Sequence, residues 1–148
     1  MLVGKGPYEE GAQALAQQLG LGEAVTFVGA VPHEKIPAYY RTADLFVFSS
    51  TTETQGLVLL ESLAAGTPVV AVEAPGAVDL ISAGGLLTRP DSTDLARGIL
   101  EVLSQPDELG RLARQAETVV ERYSISSATE RMLAVYERVL SEAGSGLE

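Results

Sequence analysis

Residues 51–70 read TTETQGLVLLESLAAGTPVV. Five polar residues give way to an apolar run from Gly56 to Ala65 with helical spacing, which predicts a helix. Gly66 follows, a residue suited to a left-handed helix stop. Pro68–Val72 (PVVAV) is then a short apolar run bounded by turn formers, which predicts a strand. Two glutamates stand in the segment, Glu53 and Glu61, with seven residues between them, and Glu61 is the only charge between Gly56 and Val72. On the predicted helix Leu57, Leu60, Glu61 and Ala64 share one face, and the opposite face (Val58, Leu59, Leu63, Ala65) is also apolar. The expectation is a helix buried nearly all round. An unpaired carboxylate there would be costly. Two readings account for Glu61. It faces a solvent cleft or pairs with an arginine elsewhere, or it accepts hydrogen bonds from a bound molecule, such as the two hydroxyls of a ribose.

Outward from this segment, short β-rich runs alternate with helical patterns. Leu2-Val3 is a brief strand entering Gly4-Lys5-Gly6-Pro7. Glu9–Leu19 is helical, Val25–Val28 (VTFV) a strand closed by Gly29, and Ile36–Thr42 a short helix. Asp44–Ser49 contains LFVF, whose unbroken apolar run predicts a fully buried strand. Downstream, Ala77–Ser82 reads as a helix and Leu86-Leu87 as a strand. Three further helices are expected over Ser92–Leu103, Pro106–Arg122 and Ser126–Ser141, the first capped by Ser92 or Asp91. Such alternation predicts an α/β fold, a Rossmann-like doubly wound parallel sheet with flanking helices. Ligands of such sheets bind at the carboxyl ends of the strands. That draws attention to the loops Gly4–Tyr8, Gly29–His33, Ser49–Gly56 and Glu73–Gly76.

Composition narrows the chemistry. The chain has 148 residues, 46% of them hydrophobic, and a net charge of −10, with mean hydropathy +0.17 and pI about 4.5. One core-forming domain fits this length. The acidity argues against nucleic-acid binding, and two lysines, Lys5 and Lys35, do not make a polybasic membrane patch. No apolar run approaches a membrane span. Absent cysteine excludes thiolate chemistry, and a single histidine, His33, in the polar turn Pro32-His33-Glu34-Lys35, makes a zinc site or a Ser-His-Asp triad a poor fit. No metal or cofactor is expected, and no catalytic residue is assigned. The start, MLVGKGP, lacks the basic and long apolar regions of a signal peptide, so the expectation is a cytoplasmic chain. The domain is expected over residues 1–143, with GSGLE (residues 144–148) as a linker and cloning tail.

Glu53 lies just before the helix. It reads either as an exposed acid complementing the helix dipole or as part of a site. Beside it, Gln55, Gly56 and Leu57 open the helix with backbone N–H groups suited to phosphate oxygens. One loop could thus meet a sugar, a diphosphate and a ribose in order.

The run ETQGLVLLESLAAGTPVV resembles the E-x7-E motif of retaining GT-B glycosyltransferases (glycosyltransferase family 4-like). VTFVGAVPHEKIPAYYRTADLFVFSS and the opening LVGKGP resemble that family's preceding stretches. The resemblance covers about Leu2–Leu87. It implies a donor-binding domain in which Glu53 holds sugar hydroxyls, Gln55, Gly56 and Leu57 the distal phosphate, and Glu61 the ribose. It places Gly29, Ala30 and Val31 beside the nucleotide base, and Gly4 and Gly6 in a turn close to the donor. Lys5 stands where that family often has an acid and takes no role. The implied reaction moves a hexose from a UDP- or GDP-sugar to a hydroxyl acceptor. The TETQGL form is most similar to enzymes acting on lipids, which implies a membrane-associated parent.

The same resemblance implies absences. The N-terminal acceptor-binding domain has no counterpart here, nor has the first, central strand and helix of the donor domain with its diphosphate-clamping arginine and lysine. The chain alone is therefore expected to be inactive. A central gap exposes backbone, to be met by a strand-swapped homodimer or complementing chain, by direct closure of the flanking strands, or by a rebuilt register. Two other readings stay open: a non-catalytic α/β scaffold or assembly fragment, and half of a nucleotide-sugar epimerase. Glu73 and Asp79, flanking Ala74-Pro75-Gly76, read equally as structural or ligand-facing. Arg89 reads as a solvated loop arginine, Asp44 as the end of a turn, and Tyr39 and Tyr40 as packing residues.

Overall fold

The computed structural model describes residues 1–144; of the expected tail, residues 145–148 lie outside the described residues. Two compact units divide the chain within a short helix, at Tyr39/Tyr40.

The second unit contains strands β3 (Phe46–Phe48), β4 (Val69–Val72) and β5 (Gly85–Thr88), and helices α3 (Leu57–Ala64), α4 (Pro75–Gly84), α5 (Ser92–Leu103), α6 (Pro106–Arg122) and α7 (Ile125–Gly144). The strands are parallel in the order β3-β4-β5. β4 lies between two neighbours and all four of its residues are buried. Successive side chains of a strand point to opposite faces, and here they meet different helices. Val69 and Ala71 join Leu59 and Leu63 of α3, Ala77 and Ile81 of α4, and Ala116 and Val119 of α6. Val70 joins Val102 of α5 and Leu112 of α6. Helices thus cover both faces, as in a doubly wound sheet. Full burial of a side chain such as Leu59 or Ile81 contributes about 1.5–3 kcal/mol relative to exposure.

The first unit holds β1 (Leu2–Val3), α1 (Glu9–Gln18), β2 (Phe27–Gly29) and a 3-10 turn at His33–Lys35; α2 (Ile36–Thr42) carries the boundary. β1 pairs with β2 in parallel, Leu2 opposite Phe27 and Val3 opposite Gly29. The core of this unit is thin. Ala16 is its one buried residue among those described, whereas Leu2 and Leu15 are about half exposed.

The predicted elements all form, with shifts at their ends. β2 sits two residues later than Val25, because Val25 N–H donates to Leu21 O in the turn that leads into the strand. α4 begins at Pro75 rather than Ala77: Ala74 is extended and Pro75 takes the first helical position, where its missing N–H costs nothing. Two expectations about burial are overturned. β3 is not fully buried, since it ends its ladder and Val47 is 38% exposed. Nor is α3 buried all round. It meets α4, α6 and β4 through one side, burying Leu59, Ser62 and Leu63 while Leu57 is 59% exposed. Finally, the strands form two ladders, β1-β2 and β3-β4-β5.

Candidate functional site

The loop after β3 is shaped by one glutamate and two glycines. The backbone N–H groups of Thr54, Gln55 and Gly56 all donate to Glu53 Oε1, at 3.0, 2.9 and 2.9 Å. Hydrogen bonds from Gly56 and then Gln55 hold the Glu53 carboxyl below its ordinary value. Gly56 turns the chain into α3 with φ of 68°, a left-handed conformation that favours glycine. The Glu53 carbonyl accepts from Gly76 N–H at 2.9 Å. Gly76, in the first turn of α4, lies flat against the loop. A Cβ built there would stand 2.5 Å from Thr54 C and 2.6 Å from Gln55 N. A Cβ on Gly56 would stand 2.5 Å from Gly76 O and overlap Leu80 Cδ1. The N–H groups of Leu57 and Val58, the first two of α3, have no acceptor among the described residues. The loop therefore presents converging donors, three of them gathered on a carboxylate oxygen.

Glu53 has a folded value depressed below 4.5, so its contribution to stability is complete above about pH 4.5 and is lost as pH falls through the folded value. Glu53→Gln is expected to flatten that acid limb, read as the difference in urea midpoint between pH 7 and pH 3. An unchanged limb would show that the carboxylate does not hold the loop.

Glu61 is half-buried on α3, and no arginine pairs with it among the described residues. Its partner is Tyr40, whose hydroxyl donates to Glu61 Oε2 at 3.3 Å. The tyrosine is fixed on both sides. Its ring meets Phe46 edge to face at 5.1 Å, and its carbonyl accepts from Thr67 Oγ1 at 2.7 Å. Thr67 O in turn accepts from the buried Ser62 hydroxyl. Burial, then the Glu61 charge and the hydrogen bond to it, push the Tyr40 phenol up to about 12. Its contribution to stability is thus complete below pH 10 and lost as pH rises toward 12. Ultraviolet titration is expected to show one of the five tyrosines ionising late. Glu61→Gln should move that phenol only part of the way back, because burial is the larger cause. A full return would assign the shift to Glu61 alone.

In the first unit, Gly4 N–H donates to Gly29 O at 2.8 Å, joining the glycine turn after β1 to the turn after β2. Both glycines have positive φ, 125° and 76°. Gly6 O accepts from Glu9 N–H at the start of α1. Ala30 is exposed and Val31 partly so. Gly4, Gly6, Gly29, Ala30 and Val31 thus belong to one unit, and Glu53, Gln55, Gly56, Leu57 and Glu61 to the other. Arg89 is engaged by Asp94, at 2.7 and 3.1 Å, and Arg97 shares the same carboxylate. These arginines hold the start of α5, where Asp91 caps the N–H groups of Thr93 and Asp94. Tyr40, read from the sequence as a packing residue, does pack on Phe46, but sequence reasoning missed its bond to Glu61. Its one signal was a glutamate in an apolar helix in need of a donor.

The family described as Glycosyl transferases group 1 matches residues 1–119. The chain belongs to this family. It is 43% identical over 110 residues to the alpha-monoglucosyldiacylglycerol synthase of Streptococcus pneumoniae, covering 72% of this chain and 25% of that protein. It is 34% identical over 151 aligned positions to the D-inositol 3-phosphate glycosyltransferase of Nocardia farcinica, covering 96% and 34%. The chain thus spans a quarter to a third of the length of these curated relatives. Among solved structures, the sucrose-phosphate synthase of Thermosynechococcus elongatus superposes with a TM-score of 0.80 at 31% identity, over 95% of this chain and 38% of that one. Anabaena HepE in complex with UDP-glucose superposes with a TM-score of 0.81 at 28% identity, over 93% and 40%. The α/β architecture, parallel strands flanked by helices, is that of the Rossmann-like domains of GT-B glycosyltransferases. Among the described residues, no helix is long and apolar enough to cross a membrane.

Proposed function

We propose that this group 1 glycosyltransferase chain is the donor-binding part of a retaining, family 4-like enzyme that moves a hexose from a UDP- or GDP-sugar to a hydroxyl acceptor. The observation that carries the reading is the convergence of the Thr54, Gln55 and Gly56 amides on a single anionic oxygen, with the Leu57 N–H next in line. Such a nest suits a phosphate as it suits a carboxylate. A distal phosphate competes with Glu53 for the Gln55 and Gly56 amides and takes the Leu57 N–H directly. Glu53, displaced, turns to sugar hydroxyls. Glu61 accepts one bond, from Tyr40, and a carboxylate has capacity for several, so a ribose diol adds to it. Gly29, Ala30 and Val31 lie beside the base, and Gly4 and Gly6 let the backbone approach.

Breaking the bond between the anomeric carbon and the diphosphate develops negative charge on the leaving group, which cations must stabilise. No lysine or arginine occurs between Arg41 and Arg89, so the site loop brings none, and the chain alone does not turn over. The relative named for a glucosyldiacylglycerol supports a lipid acceptor and a membrane-associated, cytoplasmic parent.

Calorimetric titration with UDP, GDP and their glucose and mannose conjugates tests the reading, with light scattering on the same sample. Saturable binding is expected. A folded sample that binds none of them overturns donor binding and favours the second reading, an assembly piece. One observation favours that alternative: Met132, Leu133, Tyr136, Val139 and Leu140 of α7 are all at least half exposed. A dimer or higher species without nucleotide affinity would establish it.

A further inference from the structure

The turns after β1 and β2 line an open surface cleft of about 330 Å3, with Leu2, Tyr8, Glu9, Phe27 and Gly29 among its walls, within the size range of small-molecule sites. Lys5 lines it and is the only cation that does so among the described residues. Its stem crosses the second turn, with Cε 3.9 Å from where a Cβ on Gly29 would stand. The bond from Gly4 to Gly29 fixes the residue preceding Lys5 to that same turn. No carboxylate lies within 4.0 Å of the Lys5 ammonium among the described residues. In a chain of net charge −10 with only two lysines, this ammonium stands over a glycine turn with its donors open to a ligand.

An ammonium donates three hydrogen bonds and accepts none. Facing a base edge, it is satisfied by a carbonyl oxygen and repelled by an amino group. Uracil, like thymine, presents the O4 carbonyl and guanine the O6 carbonyl, whereas cytosine and adenine present amino groups at the same edge. We propose that Lys5 is a specificity-determining residue that selects nucleotides with a keto base, uracil or guanine, over those with an amino base. The inference rests on the reading that Gly29–Val31 lies beside the base.

The test is equilibrium binding of UDP, CDP, GDP and ADP to the full chain, followed by saturation-transfer NMR, for the wild type, Lys5→Met and Lys5→Arg. Lys5 is exposed, and thermal unfolding of each variant checks that the fold is kept. The wild type is expected to prefer UDP to CDP and GDP to ADP by about tenfold, the scale of one charge-assisted bond. Lys5→Met should bring each pair within about twofold by weakening UDP and GDP alone, and Lys5→Arg should keep the preference. Equal weakening of all four nucleotides would place Lys5 on phosphate and overturn the proposal, as would a preference that survives Lys5→Met. A wild type that binds none of the four overturns the donor-site reading and this inference with it, an outcome distinct from the other two.

Discussion

Replacing Gly76 by alanine is expected to cost about 3 kcal/mol of folding stability, the upper range for one methyl group forced into packed structure. The atoms it would strike are Thr54 C at 2.5 Å, Gln55 N at 2.6 Å and Thr54 O at 2.9 Å. All are backbone, so no rotamer change relieves the overlap. The loop or the first turn of α4 must move. Either shift strains the bond from Gly76 N–H to Glu53 O, worth about 1 kcal/mol, and loosens the carboxylate whose oxygen gathers the Thr54, Gln55 and Gly56 amides. Stability and loop geometry should therefore fail together. Chemical denaturation gives the first quantity. The amide shifts of Thr54, Gln55 and Gly56 give the second, and should move toward those of unbonded N–H groups. A variant with wild-type stability would mean that the loop does not lie against α4 as described.

How much of this was legible in the sequence depends on the range of each interaction. The alternation of strands and helices was, because it needs only short apolar runs and their punctuation. α6 has its expected bounds because Pro106 starts it, and α5 because Asp91 caps it. The nest at Glu53 was half legible. An acid three residues before a helix-opening glycine is a local capping signal, and its bonds span no more than three residues. The sequence alone fits a dipole partner or a sugar ligand equally and does not single out an acceptor for its own loop. Which strands pair into the two ladders was not legible, since pairing is decided between distant segments. Burial of α3 was misjudged for a related reason. Apolar composition on two faces does not say which face finds a partner, and Leu57 finds none that covers it. The Tyr40–Glu61 bond, across 21 residues, has no local signature. It supplies a donor that neither reading named, and leaves the carboxylate capacity to accept more. Glu61 has a donor within the chain, and that donor is itself clamped by Phe46 and Thr67.

That clamp decides what removal of Glu61 should do. If its carboxylate served only to satisfy the Tyr40 hydroxyl, Glu61→Ala would leave one half-buried phenol short of an acceptor, at about 1 kcal/mol, and nucleotide affinity would not change. Under the proposed function the same carboxylate, oriented by Tyr40, also accepts two ribose hydroxyls. Their joint loss is expected to weaken UDP-sugar binding about 100-fold, roughly 2.7 kcal/mol, while the fold loses no more than about 1 kcal/mol. Tyr40→Phe separates orientation from contact. It keeps both carboxylate oxygens and removes only the hydrogen bond that aims them, so binding should fall about fivefold, close to 1 kcal/mol. Uridine and 2′-deoxyuridine diphosphates isolate the ribose contact. The wild type should discriminate against the deoxy form, and Glu61→Ala should bind the two alike. Discrimination that survives Glu61→Ala would mean that another group reads the ribose and that Glu61 is present for Tyr40 alone.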